Sequence, residues 1–176
     1  MYHPSIFSGI PNGLGVYVLR REVKPYFPKT GTRWVRRTSV VGYSSIIKQS
    51  LKQYFCEHVR TAMTANIRNT AMALREQITH VDCYFEPGII TDKVSARAFE
   101  RVLTEELEPM LRPPQDSDNI GKASAKLAKD PNFKAKVLAV IDKPTYTIRL
   151  PNRDNIIEDL LKENQDLYGV YKHKSP

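Results

Sequence analysis

Cations and aromatic rings are interleaved in one stretch of this sequence: Lys24, Tyr26, Phe27, Lys29, Arg33, Trp34, Arg36 and Arg37. The mixture suits a polyanion with accessible bases. Ammonium and guanidinium groups neutralise phosphates and release condensed counterions, and exposed rings stack on unpaired bases. Arg20 and Arg21 precede this stretch, and Lys48, Lys52, Arg60, Arg68 and Arg75 continue it. From Arg20 to Arg75 there are 12 Lys and Arg against two acids, whereas residues 76–176 hold 15 against 17 and residues 1–19 hold none. The excess of +8 therefore sits in one third of the chain, as expected of a face that binds nucleic acid rather than of a uniformly basic surface.

Other reactive side chains form no constellation. Cys56 and Cys83 have no metal-type spacing and lie in apolar patterns, so buried free thiols in a reducing compartment are expected. His58 and His80 sit beside apolar residues with no partner at ligand spacing. The chain is 41% hydrophobic and 26% charged, which predicts a globular protein. Its longest apolar runs, such as Val137–Ile141, fall far short of the roughly 20 residues a membrane span needs, so no membrane insertion is expected. The N-terminus shows no charged segment leading into an apolar one, and residues 1–19 lack the arginines of a transit peptide; an intracellular location is expected.

The elements that must position the basic residues can be read from periodicity. Residues 1–14, with Pro4, Gly9, Pro11 and Gly13, read as an irregular lead-in. Gly15–Arg21 and Arg33–Gly42 read as two strands of an antiparallel hairpin, joined by a long basic loop broken by Pro25, Pro28 and Gly31. On the second strand Trp34 and Arg36 share one face and Val35 and Arg37 the other, so both faces carry charge, which suits a hairpin projecting into RNA. Ser44 or Ser45 can cap a helix over about 45–60, and a second helix is expected over about 64–79. Val81, Cys83 and Phe85 alternate with polar residues and predict a third strand. A helix from about Ser95 should end near Pro109. Beyond Arg112, Pro113–Asp118 reads as a linker. A polar helix near 121–129, an apolar segment 137–141, a strand over Thr145–Leu150 and a helix near 154–166 follow. The division expected is thus a lead-in 1–14, a domain 15–112 and an ordered C-terminal extension 113–176.

Gly15-Val16-Tyr17 on the first strand and Val40-Val41-Gly42 on the second, each in this order of strand, strand, helix, helix, strand, helix, resemble the GIY-YIG nuclease superfamily. The likeness is nearest to the N-terminal nuclease domain of the bacterial excision-repair subunit UvrC and covers roughly residues 13–112. It implies an α+β fold: a small three-stranded antiparallel sheet flanked by helices. It also implies a site of Tyr17, Gly42, a residue eight after that glycine, Tyr54 and Glu100, with Pro109 nine after the glutamate. In such enzymes a tyrosine-activated water attacks the phosphodiester, a divalent metal held by the glutamate stabilises the leaving group, and an arginine supports charge on the phosphate. Here the arginine position is Ser50, the second tyrosine is Val40, and the expected asparagine is Arg112. Losing one charged or donor group of this kind typically costs on the order of 10²–10³ in rate. Lys48 and Lys52 stand about 200° round a helix from position 50 and do not replace it. Glu100 can also be an ordinary helical glutamate paired with Arg97 or Arg101.

The reading expected is a pseudo-nuclease: a non-catalytic RNA-binding structural component of a ribonucleoprotein. The mitochondrial ribosome is the favoured setting, with rRNA and neighbouring proteins as partners and the mitochondrial matrix as compartment. RNA contacts are expected from Arg20, Arg21, Lys24, Lys29, Arg33, Trp34, Arg36, Arg37, Lys48, Lys52 and Arg60. No cofactor is expected. The alternatives are an active endonuclease of DNA or RNA, with Mg²⁺ on Glu100, and a protein-interaction scaffold without nucleic-acid contact.

Overall fold

A computed structural model of the protein describes residues 3–23, 35–56, 77–111 and 118–151. Strands β1 (Gly15–Val23) and β2 (Val35–Ser44) are followed by helix α1 (Ile47–Cys56) and strand β3 (His80–Tyr84). Helices α2 (Lys93–Leu107), α3 (Asn119–Ala128) and α4 (Pro131–Val140) come next, and strand β4 (Tyr146–Arg149) last. A 3-10 turn at Pro4–Phe7 lies within the expected lead-in and buries Phe7 completely. The helix expected over about 64–79 and the one near 154–166 lie almost wholly outside the described residues. At the end of the former, residues 77–79 are not helical: the Thr79 N–H donates to the Arg20 carbonyl at 2.8 Å and so leads into the sheet.

The sheet is antiparallel with order β2-β1-β3-β4. This corrects the expected three strands to four. Alternation over Thr145–Leu150 marks a strand but carries no information about its partner. The partner is the outer edge of β3, from Cys83↔Tyr146 to His80↔Arg149. All five residues of β3 are buried, so an open edge there would present unpaired backbone groups; β4 satisfies them.

Period-two alternation sends the strands' side chains into two separate cores. On one face Val16, Val18, Val41 and Tyr84 pack with Ala96, Phe99, Val102 and Leu103 of α2. Ala128 of α3 and Phe133 and Val137 of α4 join the same cluster. On the other face Leu19, Val81 and Cys83 pack with Ile47, Leu51 and Phe55 of α1, and with Phe7 and Ile10. The fold is therefore a sheet between two helical layers, and helices α3 and α4 belong to the same core as the hairpin.

Helix starts follow their caps. Asp92 and Ser95 form a reciprocal capping box on α2, Asp118 accepts the Gly121 N–H at 2.6 Å, and Asp130 accepts the Phe133 N–H at 2.8 Å. Helix α2 ends at Leu107, and Glu108 adopts the left-handed conformation (φ 43°) before Pro109. The chain then runs along β2: the Met110 and Leu111 N–H groups donate to the Thr38 and Ser39 carbonyls. Among the described residues no helix is long and apolar enough to cross a membrane.

The hairpin outruns the sheet. Ladder pairing of β1 with β3 stops at Arg20↔His80, while β1 and β2 stay paired through Val23↔Val35. Arg21–Val23 and Val35–Arg37 thus form a two-stranded ribbon. It begins at a bulge, where Leu19 pairs with Val40 and Arg20 with Thr38, leaving Ser39 unopposed. A bulge bends and twists the strand that carries it, so the ribbon leaves at an angle to the sheet.

Candidate functional site

Two glycines shape the end of the hairpin away from its connecting segment. Tyr17 pairs with Gly42 across the ladder, and its ring lies over the glycine: a Cβ there would meet Tyr17 Oη at 2.5 Å and Cζ at 2.6 Å. Gly15 is as tightly placed, since a Cβ would lie 2.6 Å from the Tyr84 carbonyl oxygen and 2.7 Å from Ile47 Cδ1. Both residues are glycine because another backbone group or ring occupies the Cβ position. The Tyr17 hydroxyl is thereby held over β2.

Glu100 reaches the same place from α2. It is only 8% exposed, and its carboxylate accepts the backbone N–H of Tyr43, the residue after Gly42. Burial pushes its carboxyl up to about 7 against the opposing pull of Arg97, Arg101 and the Tyr43 N–H. Burial likewise pushes the Tyr17 hydroxyl up to about 12, reinforced first by Glu100 and then by Tyr54 and Cys83. Tyr17, Tyr54 and Glu100 therefore form one electrostatic cluster. At neutral pH Tyr17 is a protonated hydroxyl that can donate a hydrogen bond, and burial makes the Glu100 carboxyl far easier to protonate than an ordinary glutamate.

Position 50 is taken up locally. Ser50 Oγ and Ser44 Oγ are 2.7 Å apart, and Ser44 Oγ also accepts the Ile46 N–H at 3.0 Å, so Ser50 ties the start of α1 to the end of β2. Val40 packs with Tyr17 and Tyr54 against the core under α1, placing hydrocarbon at the position of a second hydroxyl. Arg112 lies outside the described residues. The donor set facing a cation is the single Glu100 carboxylate; among the described residues no group of three or more His, Cys, Asp and Glu side chains could hold a metal ion. A Mg²⁺ ion on Glu100 would draw its remaining oxygens from water and substrate phosphate.

The basic residues divide into engaged and open groups. Arg20 turns onto the sheet: its Nε donates to Asp82 Oδ2 at 2.6 Å, with side chains 16% and 8% exposed, and Thr147 Oγ1 donates to Asp82 Oδ1 at 2.7 Å. Lys48 Nζ donates to the Ser8 carbonyl at 3.1 Å. Arg21 donates to Gln77 at 3.1 Å. Arg36 stands 3.6 Å from Glu22 yet its side chain is half exposed, and Arg37 and Val35 are exposed with it. Lys52 is half-buried on α1. Lys24, Lys29, Arg33, Trp34 and Arg60 lie outside the described residues. Of these basic residues, the open ones among the described residues are thus Arg36 and Arg37 on β2.

Sequence reasoning overlooked the layer behind Glu100. Arg97 is nearly buried, lies 5.5 Å from the centre of the Tyr43 ring and bonds Asp118 at 3.0 Å, while Arg101 donates to Ser124 and to the Gly121 carbonyl. Both arginines hydrogen-bond α3 or its cap, and the field of both favours the charged form of Glu100. His80, expected to be packed or on the surface, is buried, 2.9 Å from Thr79 Oγ1 and 3.8 Å from Glu22. Burial, then Arg36, holds its ring below the usual histidine range, so it is neutral at pH 7. Burial also keeps the free Cys83 thiol protonated, pushed up to about 12. No family model, curated protein or solved structure matches this chain.

Proposed function

We propose that the protein is a non-catalytic RNA-binding component of a ribonucleoprotein, built on a degenerate GIY-YIG-like nuclease domain. The observation that carries this reading is the ribbon. Arg36 and Arg37 stand exposed on a strand that continues past the sheet, and Arg21 on the strand beside them is tied to Gln77. A twisted, cationic two-stranded arm is suited to lie along a phosphate backbone. The sequence adds Lys24, Lys29, Arg33 and Trp34 between its strands.

The cluster at the other end supports the non-catalytic half of the reading. Serine stands where an arginine would offset charge on a phosphate, and it is already hydrogen-bonded. Tyr17 is held neutral, and a general base must be able to accept a proton near the working pH. A setting in a mitochondrial ribosome, with rRNA as the RNA, is the narrower form of the proposal and rests on analogy with enzymes recruited as structural subunits.

The test uses the full chain. It should bind RNA with affinity that falls steeply between 50 and 200 mM salt, and R36Q/R37Q should weaken that binding on the order of tenfold. It should release no cleavage products from labelled RNA or DNA in Mg²⁺ or Mn²⁺. Cleavage abolished by Tyr17→Phe and by Glu100→Ala would replace this reading with a divergent nuclease. Sedimentation of the native protein with a large particle that collapses on RNase treatment supports it, and sedimentation unaffected by RNase points to a protein scaffold.

A further inference from the structure

The C-terminal half of the chain is slightly acidic on average, and that average hides a local reversal. Residues 119–143 hold six lysines (122, 126, 129, 134, 136 and 143) against Asp130 and Asp142 alone. Lys134 is committed to Glu105 and Glu106 of α2. Lys122, Lys126 and Lys129 are exposed, and among the described residues none has an ion-pair partner.

Their spacing places them on one side of α3 and its C-cap. Steps of four and three residues at 100° each keep all three within a narrow sector, and exposed Asn119 and Ala123 flank it on one side. The opposite side of the helix, with Gly121, Ser124 and Ala128, is buried against α2. Local helix energetics do not account for this choice. Like charges at these spacings destabilise a helix. The helix dipole favours Lys126 and Lys129 near its C-terminus but not Lys122, which stands just past the first turn. The nearby acids are occupied: Asp118 by Arg97 and the Gly121 N–H, Asp130 by the Phe133 N–H.

We infer that this lysine face is a second nucleic-acid contact, seated on the phosphate backbone of structured RNA. At 1.5 Å per residue the three positions span about 10 Å of helix axis, and flexible lysine side chains at that separation can each meet a different phosphate. Small residues between the lysines let a backbone approach closely. A helix made for a lipid surface would carry large apolar side chains beside its lysines; this face carries alanine and asparagine. Lysine contacts here set position and affinity without reading bases. The inference rests on the RNA-binding reading but concerns a separate surface.

The test is fluorescence-anisotropy titration of the full chain with a labelled 20-base-pair RNA duplex and with oligouridine, across 50–300 mM KCl. In K122Q/K126Q/K129Q the slope of log affinity against log salt on the duplex should fall by about 2–3, since each neutralised phosphate contributes about 0.7–0.9. The lysine-to-arginine triple variant should keep the parent slope. An unchanged slope and affinity in the glutamine variant, with R36Q/R37Q impaired, overturns the lysine face and leaves the ribbon reading standing. The converse pattern overturns the ribbon and keeps the lysine face. A parent chain that binds neither probe overturns both.

Discussion

The two ends of one hairpin are built on opposite terms. At the end that enters the core Gly15 and Gly42 are so closely packed that a Cβ would collide. At the end that carries the connecting segment Val35, Arg36 and Arg37 face solvent from both sides of the strand. The boundary is Arg20, which neutralises Asp82 inside the sheet although it belongs by sequence to the basic stretch. Continuous pairing of β1 with β2 thus carries packed side chains below this ion pair and solvent-facing ones above it. Charge in the sequence marks a surface only where the sheet has ended.

Mutations at the boundary should have the largest effect. Asp82→Ala leaves the Arg20 guanidinium buried without its counter-charge and should cost about 3–5 kcal/mol, read from urea unfolding; a loss below 1 kcal/mol would mean that Arg20 already faces water. Next is Glu100, whose folded pKa of about 7 lies above its ordinary value of 4.5. The folded state then holds more protons than the unfolded state between about pH 4.5 and 7. Stability therefore falls as pH rises through that window, and the penalty is fully present above pH 7. Glu100→Gln should be about 2–3 kcal/mol more stabilising at pH 8 than at pH 4; equal differences at the two pH values would place the carboxylate in water.

Gly42→Ala should cost about 1–3 kcal/mol, because the Tyr17 ring must leave its seat. A crystal structure of the variant with Tyr17 unmoved would refute that account. The smallest effect belongs to the ribbon. Arg36→Gln and Arg37→Gln should each change stability by less than about 0.5 kcal/mol, even as RNA affinity drops. If unfolding midpoints and affinity fall together, the ribbon is part of the core and the contrast fails.

Much of this arrangement was legible in the residues. β-branched and aromatic alternation marked β1, β2 and β3, the four-residue steps of Phe99, Leu103 and Leu107 marked α2, and the glutamate and tyrosine spacings brought Tyr17, Tyr54 and Glu100 into one cluster. Long-range pairing was not legible. Nothing in Thr145–Leu150 names β3 as its partner, since strand alternation reports burial and not neighbours. The inward turn of Arg20 depended on Asp82 and Thr147, which lie 62 and 127 residues away in the chain. The lysine face was hidden differently: an average over residues 76–176 diluted six local lysines with acids elsewhere.

The pairing of β4 with β3 also sets an order of events in synthesis. Sixty-two residues separate Tyr84, the end of β3, from Tyr146, the start of the strand that covers it. At about 5–20 residues per second a translating ribosome needs roughly 3–12 s to bridge that gap. Throughout it the nascent chain carries a strand destined for burial with one naked edge, open to pairing with any other strand. Newly made protein is thus most vulnerable to aggregation during that interval, and a holdase that binds extended apolar segments would have its natural client here.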